Sequence, residues 1–221
     1  MKSDEAPVPA LPRLIPGAPN AVFAPAEGTD RWYVGFSYGC EPLAPDEAAA
    51  LHARGCLFPG TVPYFLRLAD GALFSPFPQQ TGLYYTRPVW DRDAFGILAA
   101  DFCHARLLLY RCPPGEEPAL LADLPLGPAE TLRNLRLYAS PWMIACGEEN
   151  FQILWPQRQR FSLLLGETVL YREGELLFSR LPAESRHGPA RIVTRSCLSG
   201  EILSCVPGSL CRMPNGELWR F

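Results

Sequence analysis

An octapeptide occurs twice in this chain, as Arg67-Leu68-Ala69-Asp70-Gly71-Ala72-Leu73-Phe74 and as Arg212-Met213-Pro214-Asn215-Gly216-Glu217-Leu218-Trp219. A shortened relative, Arg172-Glu173-Gly174-Glu175-Leu176-Leu177-Phe178, lies between them. Asp-Gly and Asn-Gly between apolar runs are strong hairpin signals, because a two-residue type I′ turn needs positive φ at both central positions and these residues tolerate it. The repeat therefore predicts antiparallel hairpins, and with them an all-β fold.

The rest of the chain has the same texture. Short apolar runs such as Trp32-Tyr33-Val34, Tyr64-Phe65-Leu66, Arg106-Leu107-Leu108-Leu109-Tyr110, Phe151-Gln152-Ile153-Leu154-Trp155 and Arg191-Ile192-Val193-Thr194 alternate with turn residues. Their breaks recur about every 8–12 residues, the spacing of sandwiches, barrels and propellers. One segment predicts a helix, residues 45–54, with Pro45, Asp46 and Glu47 in its first turn and Gly55 after its end. A second, shorter helical turn is expected near Gly127–Arg133. Helices do not alternate with strands, which disfavours a parallel α/β sheet.

The separation of Gly174 from Gly216 falls within the roughly 40–45 residues of a four-stranded propeller blade, and the length of the chain would supply about four to five such blades. A small β-propeller-like array of repeated hairpins is thus favoured over a sandwich or barrel. Residues 1–30 carry Pro7, Pro9, Pro12, Pro16, Pro19 and Pro25, which lack backbone donors, and read as a proline-rich tail ahead of a single all-β domain at 31–221.

Composition narrows the function classes. With 20 Lys plus Arg against 23 Asp plus Glu, the charge is too balanced for binding driven by phosphate contacts, so nucleic acid is not an expected partner. No apolar stretch approaches the roughly 18 residues of a membrane span, and the first residues lack a basic region followed by an apolar core, so a cytoplasmic protein without membrane partners is expected. The eight cysteines are then expected to be reduced. With no CxxC and three histidines in no ligating spacing, neither a metal nor another cofactor is expected.

Three sets of residues are candidates for function. Ser37 stands in Gly35-Phe36-Ser37-Tyr38-Gly39, the pattern of a serine hydrolase nucleophile elbow, although Pro42 and Pro45 occupy the place of the helix that should follow. Asp91 and Asp93 would share a face of an extended strand and, with Glu167 or Glu184, could serve as the paired carboxylates of a glycoside hydrolase. Tyr84, Tyr85 and Trp90 are candidate ligand-binding aromatics, because one of two adjacent strand residues is exposed where only one sheet face is covered. With no complete catalytic constellation, the leading expectation is a non-catalytic module that binds a protein, small molecule or carbohydrate; a carbohydrate-active hydrolase and a serine hydrolase are the alternatives.

Overall fold

The computed structural model describes Ile15, Gly17 and residues 19–36, 44–56, 60–127, 132–183 and 189–221. Four antiparallel sheets form a four-bladed β-propeller accompanied by one short helix. The first blade contains β1 (Phe23–Pro25), β2 (Trp32–Phe36), β3 (Pro63–Arg67) and β4 (Leu73–Phe74), with α1 (Pro45–Ala53) inserted between β2 and β3. The second contains β5 (Leu83–Tyr85), β6 (Val89–Asp91), β7 (Ala94–Asp101), β8 (Arg106–Cys112) and β9 (Ala119–Pro125), in which β5 and β6 pair with successive parts of β7. The third is β10 (Arg136–Tyr138), β11 (Met143–Cys146), β12 (Asn150–Trp155) and β13 (Gln159–Ser162). The fourth is β14 (Thr168–Glu173), β15 (Leu176–Leu181), β16 (Arg191–Ser196) and β17 (Ile202–Pro207), and a hairpin of β18 (Leu210–Arg212) and β19 (Leu218–Arg220) follows it.

Segments near the openings of the first three blades come together. Glu27, just beyond β1, makes an isolated parallel bridge with Val89 of β6, and the Arg136 guanidinium at the start of β10 donates to Glu27 Oε2 at 3.2 Å. Side chains fill the spaces between successive blades, and strand periodicity decides which space each one enters. Along β7, Phe95, Ile97 and Ala99 pack against Trp32, Val34 and Phe65 of the first blade. The intervening Leu98 and Ala100 pack toward Leu137 and Ile144 of the third. Along β11, Ile144 and Cys146 face the second blade while Met143 and Ala145 join Val169 and Leu177 of the fourth. An edge-on ring contact reinforces the first interface, with the Trp32 and Phe95 centroids 5.9 Å apart, and Trp90 makes another with Phe95 at 4.8 Å within the second blade, each worth about 0.5–1.5 kcal/mol beyond burial. Ala48 and Ala49 of α1 join the core beside the second blade, and His52 stacks on Phe102.

Two-sided burial overturns the expectation for the tyrosine pair. Tyr84 and Tyr85 are 1% and 2% exposed, one facing the third blade and the other the first, so neither presents a ring to solvent. The turns also differ from the expected two-residue type. The octapeptides close longer loops, Arg67 pairing with Ala72 and Met213 with Glu217 through their backbone N–H groups. Gly71 (φ 76°) and Gly216 (φ 90°) take the left-handed conformation, while Asp70 and Asn215 each accept the backbone N–H two residues on, at 3.0 and 3.1 Å. Only the shortened relative makes a two-residue connection, between Glu173 and Leu176. The stretch from Phe23 onward, expected in the tail, is strand: Phe23 pairs with Gly35. Pro128–Thr131 lie outside the described residues, and Leu132–Asn134 form a turn.

At Gly96 of β7 the second and third blades approach closely, since a Cβ there would lie 2.6 Å from Trp142 Nε1 and 2.9 Å from Leu137 Cδ2. Gly96→Ala is expected to destabilise by about 1–3 kcal/mol through overpacking. Gly216→Val, with no comparable neighbour, is expected to cost about 1–2 kcal/mol through backbone conformation alone. Urea midpoints of the two variants check both values.

Candidate ligand-binding site

The connections following the opening strands surround a cavity of about 820 Å³ at one end of the propeller. Its wall is built from Gly28–Arg31 after β1, Trp90–Arg92 at the β6–β7 turn, Ser140 after β10, Glu173 at the end of β14, and the β18–β19 hairpin. The β6–β7 turn is tight. Arg92 has φ 59°, and the Asp93 N–H donates to the Asp91 carbonyl at 2.8 Å, a γ-turn centred on a non-glycine residue. This turn holds Asp91 on the cavity, where its Oδ1 accepts the Ser140 hydroxyl at 2.6 Å.

A buried arginine braces the same region. Arg172 donates from Nε to the Gly174 carbonyl at 2.9 Å and from Nη1 to Pro141 and Trp142 carbonyls at 3.0 and 3.2 Å, tying the fourth blade to the segment carrying Ser140. Arg212 bridges the hairpin to the fourth blade through its 3.1 Å bond to the Arg172 carbonyl; it lies over the Tyr171 ring, with Glu173 Oε2 3.8 Å away. Trp219 is 48% exposed at the cavity, an unusual position for so large an apolar surface. Its indole N–H donates to Glu217 Oε2 at 3.1 Å, which fixes the ring. Hydrogen bonds from the Asn215 amide and then the Trp219 indole hold the Glu217 carboxyl below its ordinary range, so it is an anion at neutral pH.

Of the residues singled out in the sequence, the structure brings Asp91 and Trp90 to this cavity. Asp93 is turned away by the γ-turn, pairs with Arg111 at 2.7 Å and borders a neighbouring cavity. Glu167 lies immediately before β14, at the opposite end of that strand from Glu173, buried in an ion pair. The Arg195 Nε and Nη2 groups donate to its two oxygens at 2.8 and 2.7 Å, and the Leu164 N–H adds a third bond at 2.9 Å. Burial alone would raise this carboxyl, but these bonds outweigh it and keep it below the ordinary carboxylate range. A carboxylate so occupied serves the fold and has no proton to give a substrate. Tyr84 borders a cavity of about 360 Å³ near α1, and Tyr85 stacks on Phe77 within the core. Ser37 and Glu184 lie outside the described residues.

Sequence reasoning missed Ser140, Arg212, Glu217 and Trp219. The signal for the last three was present, since all belong to the second octapeptide, read there only as turn chemistry. The seven described cysteines are free; Cys112, Cys146 and Cys197 are buried, Cys205 is half-buried, and Cys56, Cys103 and Cys211 are exposed. Burial pushes the Cys112 thiol up to about 12, which makes it unreactive. Among the described residues no three His, Cys, Asp or Glu side chains are grouped to hold a metal ion, and no helix is long and apolar enough to cross a membrane.

No protein-family model and no curated protein matches the chain. Among solved structures it is similar to Porphyromonas gingivalis dipeptidyl peptidase 4, at 12% identity and a TM-score of 0.39 over 70% of this chain and 25% of that one. It is also similar to a GH43 beta-1,3-galactosidase, at 12% identity and a TM-score of 0.39 over 87% of this chain and 48% of that one. The chain thus spans a quarter of the first and about half of the second, and the activities in those names belong to those proteins.

The Glu167–Arg195 pair generates a pH prediction. Because the carboxyl is depressed in the folded state, its contribution is complete above the ordinary Glu value of about 4.3 and is lost as pH falls through the lower native value. Glu167→Ala, which leaves Arg195 buried without its partner, is expected to cost about 3–5 kcal/mol at pH 7. Denaturant midpoints between pH 2 and 7 should show the parent losing stability toward acid more steeply than the variant.

Proposed function

We propose that this protein is a saccharide-binding module whose ligand occupies the cavity between the β6–β7 turn and the β18–β19 hairpin. The observation that carries this reading is the meeting of an exposed, clamped indole, Trp219, with Asp91, Glu173 and Glu217 around one cavity. A sugar ring has an apolar C–H face that stacks on an aromatic ring, and hydroxyls that donate to carboxylates in charge-assisted hydrogen bonds. Cavities of about 300–1,000 Å³ with a few fixed polar groups are the usual setting for small ligands. Trp219→Ala is expected to weaken saccharide binding at least about tenfold, or about 1.4 kcal/mol, with Trp219→Phe recovering part of the loss. Calorimetric titration with a panel of oligosaccharides measures it; unchanged affinity in Trp219→Ala would overturn the reading.

A second reading, hydrolysis of a glycoside, is favoured by one observation: Asp91 and Glu173 come from different blades and line the same cavity, flanking Ser140. Paired carboxyls of this kind supply an acid and either a base or a nucleophile. On this reading Asp91→Asn and Glu173→Gln each abolish release of the phenol from aryl glycosides while melting like the parent. A parent protein that binds saccharides without turning over any aryl glycoside leaves the binding reading alone.

A further inference from the structure

A second cavity, of about 620 Å³, adjoins the first on the outer side of the blade 1–blade 2 interface, and the two share Asp30, Arg31, Trp90 and Arg92. These residues form a ridge between them. The Arg31 guanidinium lies 5.4 Å from the centre of the Trp90 ring. Arg31 and Arg92 are exposed, and among the described residues neither pairs with a carboxylate.

The charged groups around them are differently placed. Arg67 is held by Asp70, with Nε 2.9 Å from Oδ1, and Arg212 donates to the Gly216 and Arg172 carbonyls. Asp91 accepts from Ser140, Asp93 from Arg111, and Glu217 from Trp219, while Glu173 lies beside Arg212. Asp30 adds one carboxylate to the ridge against two guanidinium groups, so the ridge carries net positive charge within a chain of formal net charge −3. Guanidinium forks match carboxylates bidentately, and donors not spent inside the protein are available to a ligand.

From this placement we infer that the ligand is an acidic oligosaccharide, long enough to pass over the exposed Arg31 and Arg92 from one cavity into the other, with its carboxylates held by those two residues at the crossing. The inference rests on the saccharide reading above and adds the ligand's charge and length.

The test compares trigalacturonate with its methyl ester, which keeps the rings and removes the charge, by calorimetric titration of the full chain. The acid is expected to bind at least about tenfold more tightly at low salt, with the advantage shrinking as the Debye length falls from about 30 Å at 0.01 M to about 8 Å at 0.15 M. In the Arg31→Gln/Arg92→Gln double variant the advantage of the acid over the ester should vanish. Equal affinity for acid and ester, or an advantage that survives in the double variant, overturns the inference and leaves the saccharide reading intact. Triglutamate binding more tightly than trigalacturonate overturns it in favour of an acidic peptide. Binding of neither sugar, nor of any member of the neutral panel, overturns both readings.

Discussion

Packing on both faces of β7 is the constraint on which the rest of the structure depends. Phe95, Ile97 and Ala99 enter one interblade space and Leu98 and Ala100 the other, all essentially without exposure. A strand buried on both sides must be apolar at nearly every position, as the run from Ala94 to Ala100 is. The same rule places Tyr84 and Tyr85 in the core and sorts Met143 from Ile144. At about 25 cal/mol per Å² of apolar surface removed from water, these interfaces supply most of what sets the blades' mutual positions.

Polar groups then fix the details that apolar packing leaves free. Arg172 and Arg195 are 7% and 4% exposed, and each spends its donors on partners at fixed distances: carbonyls of Gly174, Pro141 and Trp142 for the first, Glu167 and the Gly200 carbonyl for the second. Such groups are costly to bury unless fully bonded, which makes the arrangement intolerant of small shifts. Ser140, and through it Asp91, inherits its position from the Arg172 cage. The rigidity of the candidate site therefore originates in residues that do not line it.

Much of the fold was legible in the sequence. The hairpins and the helix (observed at Pro45–Ala53) follow from turn residues, alternation and capping, and the propeller is one of the architectures expected of strands broken about every 8–12 residues. The octapeptide was informative in a different way from its appearance. It recurs at the end of the first blade and again in the hairpin after the fourth, so it marks a loop chemistry, an Asx side chain followed by a left-handed glycine, and gives no measure of blade length. The site was only partly legible. Asp91 and Asp93 were expected on one face because an extended strand would put them there, and the positive φ of Arg92, which no local rule demands of an arginine, sends them to different cavities. Ser140, Glu173 and Trp219 come together only through the ring of blades, a relationship between residues distant along the chain that spacing cannot express.

Three of the junctions between blades are filled by continuous apolar clusters, whereas the fourth blade meets the first through the two-stranded β18–β19 hairpin. There Arg212 bonds the Arg172 carbonyl on one side, and Gly216 approaches the Gly28 carbonyl on the other. The hairpin acts as a clasp on a bracelet, and its strands show mostly exposed or half-buried residues. Segments with few buried apolar contacts open at lower free energy than the core, so amide hydrogens of β18 and β19 should exchange through local opening well before those of β7. Because the clasp forms one wall of the cavity, a ligand that binds only the closed ring stabilises that closure by mass action.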